Sequence, residues 1–178
     1  MPRKNRIRLA AAAASLAVAL VAPAHASAHC AWANMNPNDI TQKQADHATL
    51  CLLNKQRRSH GLKKLHENKR LDSASQRHAT DMSRRNYFAH GDFAGRIRSA
   101  GYLSGAGRGY TIGENIAWGS WDYATPANIV NAWMHSPGHR ANILNGRFHE
   151  IGLGVARGAP DRGQANAGTY VTDFGTRF

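Results

Sequence analysis

Glu150-Ile151-Gly152-Leu153-Gly154-Val155 and Tyr170-Val171-Thr172-Asp173-Phe174 decide the fold class of this 178-residue chain. In the first, Ile151, Leu153 and Val155 alternate with smaller residues, which is the two-residue period of a strand. The second is a β-branched and aromatic run of strand length. The segment from Gly158 to Gly168 joins the two as a flexible hairpin connection. Before Leu144 the apolar residues recur at helical spacing, apart from a further strand expected around Ile116-Ala117-Trp118. Helices first and strands last point to an α+β domain built in layers.

The helices have their own signals. Thr41 is placed as an N-cap, with Gln44 three residues on as a capping box requires, and Gly61 stops the helix. A second helix is expected from about Asn68 to Tyr87, carried by Leu71, Ala74, Ala79 and Met82. A third, Phe93 to Ala100, closes at Gly101. Tyr102 to Gly113 reads as a glycine-rich loop. Thr125-Pro126 opens a fourth helix that ends near His135, and Pro137-Gly138 reads as a turn. His47, His60, His66 and His78 are expected on or beside exposed polar helix faces.

Residues 1–28 read as a secretory signal peptide: four basic residues up to Arg8, an apolar run from Leu9 to Val21, then small residues at A-x-A spacing. Cleavage after Ala26 or after Ala28 fits equally. Residues 29–40 then form an N-terminal extension and 41–178 the folded domain. No later segment is apolar for long enough to cross a bilayer. The expectation is a secreted, extracellular monomer with no transmembrane segment once the signal is cleaved. Without the leader, 19 basic residues face 11 acidic ones, a net charge of +8. Such a surface attracts anionic partners such as cell-wall polymers or lipid headgroups. The basic pairs at Arg57-Arg58, Lys63-Lys64, Lys69-Arg70 and Arg84-Arg85 read as solvated helix faces, and no specific nucleic-acid partner is expected of an exported protein. Cys30 and Cys51 survive cleavage at either site. An isolated pair in an exported protein forms a disulfide, here closing a loop worth about 3 kcal/mol; two free thiols are the alternative.

Four residues carry candidate chemistry: His90, Glu114, His139 and Glu150. Each lies at an element boundary, where a side chain points into a cleft more readily than from mid-helix. Two imidazoles and two carboxylates are a permissible ligand set for Zn²⁺ or another divalent metal. The same groups equally form a metal-free hydrogen-bonded network with shifted pKa values. His135, close to Trp133, is a further candidate for the cleft. Ser136-Pro137 lacks the glycine-flanked elbow of a serine hydrolase. Trp118, Trp121 and Trp133 read as core, with a cleft wall as the alternative.

Phe88-Ala89-His90, Gly113-Glu114-Asn115-Ile116, the run from Trp133 to Leu144 and Phe148-His149-Glu150-Ile151-Gly152-Leu153-Gly154 together resemble the bacterial branch of the CAP superfamily. That superfamily comprises the SCP-like proteins: cysteine-rich secretory proteins, antigen 5 and plant pathogenesis-related type-one proteins. The resemblance implies an α-β-α three-layer sandwich with a central cleft lined by histidines and glutamates, which in some members binds divalent metal. His90 and Glu114 match the first histidine and the first glutamate. Where relatives carry a later glutamate and a second histidine, this chain has His135-Ser136 and Arg147, so His139 and Glu150 stand in by chemistry. The function this implies is a non-enzymatic binding protein holding a lipid or cell-envelope ligand in the cleft. The alternative is a metal-assisted hydrolase of peptidase type using the same residues.

Overall fold

The computed structural model describes residues 29–178. The signal-peptide reading of residues 1–28 lies outside the described residues. A four-stranded sheet organises the rest, with strands β1 (His66–Glu67), β2 (Tyr110–Ser120), β3 (Glu150–Arg157) and β4 (Ala167–Arg177) in the order β1-β3-β4-β2. β4 runs antiparallel to β2 along its full length and antiparallel to β3, while β1 adds a short parallel pair to β3. Because side chains alternate across a strand, the register assigns each residue a face. Gly152, Asp173 and Glu114 form one cross-strand row, flanked by the row Glu150, Gly175 and Ile112 and by the row Gly154, Val171 and Ile116. All three rows lie on the same face.

That face is covered by α2 (Lys69–Arg85), with α3 (Phe93–Ser99) beside it. Two glycines let α2 sit down on the strand. A Cβ on Gly152 would collide with the backbone of Leu71, and one on Gly154 with the backbone of Ser75. The close approach also protects the β3 edge, which β1 covers only at its start. Asp72 accepts from the Leu153 amide at 2.9 Å, one turn on Gln76 accepts from the Val155 amide at 2.9 Å, and Ser83 donates to the Arg157 carbonyl at 2.9 Å. A helix therefore does for this edge what a fifth strand would do.

The opposite face carries the larger core. Leu153, Val155, Tyr170 and Phe174 pack there against Leu53 of α1 (Gln42–Ser59) and Ile129, Val130 and Trp133 of α4 (Pro126–His135). Helices thus cover both faces, and the α-β-α sandwich expected from sequence is the fold. The capping box at Thr41 and Gln44 is present as expected. At the far end of α1, Arg57 is only 1% exposed. It donates to the carbonyls of Lys63, Ile143, Asn145 and Phe148 at 2.8 to 3.1 Å.

The segment 29–40 is tied to the domain rather than loose. Cys30 and Cys51 form the disulfide. Asn36 donates to the carbonyls of Trp121 and Asn166, and Asn38 donates to the Ala167 carbonyl. Among the described residues no helix is long and apolar enough to cross a membrane.

The structure corrects several local expectations. Pro137 does not end in a turn: it opens a short helix, α5 (Pro137–Ile143). Proline forces the preceding Ser136 into extended backbone, which ends α4, yet its own fixed φ suits the first position of a new helix. β2 begins at Tyr110, inside the stretch read as loop, because β4 offers it partners as far as Arg177. The parallel pair at His66–Glu67 had no signal at all. His78 is buried, not exposed.

Candidate functional site

The site is built around Glu114, in the middle of β2 on the α2 face. Its side chain is 1% exposed. His90 Nδ1 lies 2.8 Å from one carboxylate oxygen, and Arg96 of α3 meets the other at 2.5 Å. His90 itself is half exposed, so the pair spans from the interior to the surface. Its loop starts where Asn86 ends α2 in the left-handed conformation, φ 54°, which asparagine tolerates better than most residues. His78 then holds the loop: its Nε2 contacts the Ala89 carbonyl at 3.0 Å. Burial, and next the charge of Arg96, push the His78 pKa down, so the ring is neutral and Nε2 carries the proton donated to Ala89.

Behind Glu114 lies a residue the sequence reading missed. Asp173 is its cross-strand partner on β4 and is fully buried. One oxygen accepts from Ser75 at 2.8 Å, and Oδ1 has no donor among the protein groups. Burial, followed by the charge of Glu114, raises the Asp173 pKa to about 8. At neutral pH the acid keeps its proton beside the Glu114 carboxylate. The missed signal was parity: Asp173 has the inward parity of Val171, in a run otherwise free of charge.

His139 joins from the other layer. α5 is fastened to β2 by Asn115, which donates to the His139 carbonyl at 3.0 Å, and by Asn142, which donates to the Glu114 carbonyl and to Asn115. His139 packs on Trp133 with ring centroids 6.5 Å apart. Burial lowers its pKa, and the charge of His90 lowers it further.

Two expected residues belong elsewhere. Glu150 sits on β3 with β4 between it and Glu114, a separation of about 10 Å across the sheet. Its carboxylate accepts from Asn68 at 2.7 Å and Tyr102 at 2.6 Å and pairs with Arg177 at 3.7 Å. His135 is exposed, and its ring bonds back to the Asn131 carbonyl of its own helix. Trp133 is core, donating to the Ile116 carbonyl, whereas Trp121 is 61% exposed.

The arrangement does not fit a divalent metal. The Glu114 oxygens are engaged by His90 and Arg96, and the guanidinium already supplies the positive charge an ion would bring. Among the described residues no group of three or more His, Cys, Asp or Glu is placed to hold one.

The model of the cysteine-rich secretory protein family, CAP, matches residues 50–174. The chain belongs to the CAP family. The matched span holds every residue of the His90–Glu114 network. Among curated relatives, this CAP domain is 39% identical over 110 residues to YkwD of Bacillus subtilis, covering 58% of this chain and 39% of that protein. It is 31% identical over 121 residues to the B. subtilis membrane protein YlbC, covering 65% of this chain and 33% of that one. The chain therefore spans between a third and two fifths of these relatives. Solved structures share the fold. An extracellular SCP-domain protein of Bacillus anthracis superimposes with TM-score 0.59 at 24% identity, over 75% of this chain and 40% of that one. An outer surface protein of Borrelia burgdorferi gives 0.56 at 21%, over 71% and 87%. A cysteine-rich secretory protein of Staphylococcus aureus gives 0.54 at 20%, over 75% and 39%.

The buried acid makes stability pH-dependent with a definite sign. Asp173 has its folded pKa raised from about 4 to about 8, so its contribution is full in acid and is lost as pH rises toward 8. Asp46 and Asp72, raised by burial to about 7, act in the same direction. The lowered His78 and His139 act oppositely, but only below about pH 6.5, where the unfolded rings take up protons. Between pH 7 and 8.5 the slope of Asp173 is left, and the unfolding midpoint should fall. Asn in its place carries a donor and an acceptor in the arrangement of the protonated acid. Asp173→Asn should therefore flatten the fall and be the more stable protein at pH 8.5, as read by thermal melts. Parallel pH curves for the two proteins would remove the assignment.

Proposed function

We propose that the chain is a secreted, non-enzymatic binding protein whose His90–Glu114 site receives a lipid or cell-envelope ligand. The observation that carries this reading is the saturated carboxylate of Glu114. With His90 on one oxygen and Arg96 on the other, Glu114 is not free to act as a base, a nucleophile or a metal ligand. Its work is to hold the half-exposed His90 ring in one orientation, with Asn115 and Asn142 setting His139 across the strand. Phe88, two residues before His90 and 46% exposed, adds apolar surface at the same loop. Export is supported by the Cys30–Cys51 disulfide, by the leader pattern of residues 1–28 and by the likeness to an extracellular SCP-domain protein.

One observation favours a hydrolytic second reading. His90 Nδ1 engages a buried carboxylate, which leaves Nε2 as a base able to activate water. Both readings meet in one experiment with His90→Ala, using phosphatidylglycerol vesicles and solubilised peptidoglycan fragments. Binding predicts a rise of several degrees in the unfolding midpoint with one of these, lost in the variant, and no product. Product formed by the wild type and abolished in the variant establishes the hydrolytic reading instead. No shift and no product removes both.

A further inference from the structure

We propose that the groove along the outer side of α2, which borders the His90–Glu114 network at Arg96, binds an acidic saccharide. A cavity of about 880 Å³ lies between α2, the loop after it and α3. Gln76, Arg77, Thr80, Arg84, Tyr87 and Ser99 are among its walls, and no Leu, Ile, Val, Met or Phe is. An acyl chain would meet only the Tyr87 ring and the stems of polar side chains there. Hydroxyl and guanidinium groups instead match the dense donors and acceptors of a sugar, while the Gln76 amide is held by Val155 and Thr80. The half-buried Tyr87 ring is fixed by its hydroxyl, which donates to Asp81 at 2.6 Å, and by the Arg85 guanidinium over its ring at 6.0 Å.

The charge pattern selects an anion. Arg77 and Arg84 lie two turns apart on one face of α2, about 10 Å along its axis. Among the described residues neither has an ion-pair partner. The two carboxylates in the lining are occupied: Asp81 by Tyr87 and Arg85, and Asp92 by the Gly95 amide it caps. Unpaired guanidinium groups take carboxylate or phosphate through two parallel hydrogen bonds. A second cavity of about 520 Å³ shares Gln76, Thr80 and Arg84 with the first and continues to Thr41 and Arg157. A ligand of two or more sugar units therefore follows the helix, with Arg84 at its middle. His90 and Glu114 line neither cavity, and the first meets their network only through His78, Gly91 and Arg96. The inference stands whatever ligand the His90 loop takes.

Calorimetric titration tests it with N-acetylmuramic acid for the carboxylate and N-acetylglucosamine 1-phosphate for the phosphate. N-acetylglucosamine and inorganic phosphate serve as controls. At least one acidic sugar should bind tenfold or more tightly than either control, and which one does names the anion. Arg77→Glu with Arg84→Glu should weaken that binding more than tenfold at an unchanged unfolding midpoint, and His90→Ala should alter it less than twofold. If the charge reversals lower the midpoint, the milder Arg77→Gln with Arg84→Gln carries the same expectation. Several results would overturn the proposal: no binding of either acid, equal binding of a control, binding that survives the arginine substitutions, or loss in His90→Ala.

Discussion

Arg57→Ala should lower the unfolding midpoint by roughly 10 °C, one of the two largest effects expected of any single substitution here. The arginine is buried without a carboxylate partner, and its cost is met entirely by four backbone carbonyls. Those of Ile143 and Asn145 belong to the end of α5 and the turn beyond it, and that of Phe148 leads into β3. A helix end leaves its last carbonyls unsatisfied, and here one side chain from α1 supplies the missing donors. Removing it strands several buried acceptors at about 1–3 kcal/mol each, with partial relief from entering water. A net loss of about 4 kcal/mol, at about 2–4 °C per kcal/mol for a domain of this size, gives the stated shift. Arg57→Lys should rescue little, because a single ammonium cannot reach all four oxygens in the directions the planar fork does. A lysine variant melting like the wild type would mean that the charge matters and the geometry does not.

The second large effect is expected at Gly154. Alanine there places a methyl group into the backbone of Ser75, and neither partner is a flexible side-chain end that can swing away. α2 must lift from β3, which also draws Asp72 and Gln76 off the edge amides they satisfy. Overpacking of this kind costs about 3 kcal/mol or more. Gly152→Ala meets the same obstacle at Leu71 and should behave alike. Gly146→Ala is the control, because its Cβ would find only Leu62 at an ordinary 3.6 Å. Chemical denaturation of the three variants decides it. A Gly154→Ala protein as stable as Gly146→Ala would show that the helix does not rest on the strand as described.

How far the fold was legible follows from which forces are local. Thr41 with Gln44 and Thr125 with Pro126 announce helix starts through hydrogen bonds and backbone angles confined to a few residues, and both helices begin where they say. The start of β2 was not legible. Tyr110 to Gly113 is extended because β4 pairs with it, and a partner sixty residues away leaves no mark on local composition. α5 was hidden because a proline after a serine marks the end of one helix and the start of another equally well. In the site, His90 and Glu114 were found by motif, and they are bonded. Asp173 needed the parity of β4 to be read as a statement about burial. Glu150 was misplaced because its nearness in sequence to the other motifs says nothing about the strand that separates it from Glu114.

The row formed by Gly152, Asp173 and Glu114 has a consequence for how this domain tolerates change. On the α2 side it splits the apolar packing into two small clusters, one around Leu71 and Tyr102 and the other around Met82 and Val171. On the far side of the sheet a single large cluster runs unbroken from Leu53 to Trp133 and Phe174. The sheet thus separates a half with one continuous apolar core from a half whose packing is interrupted by buried polar groups. Substitutions at the exposed rim around His90 can alter what the surface recognises while the continuous core and the α2–β3 contact hold the chain together.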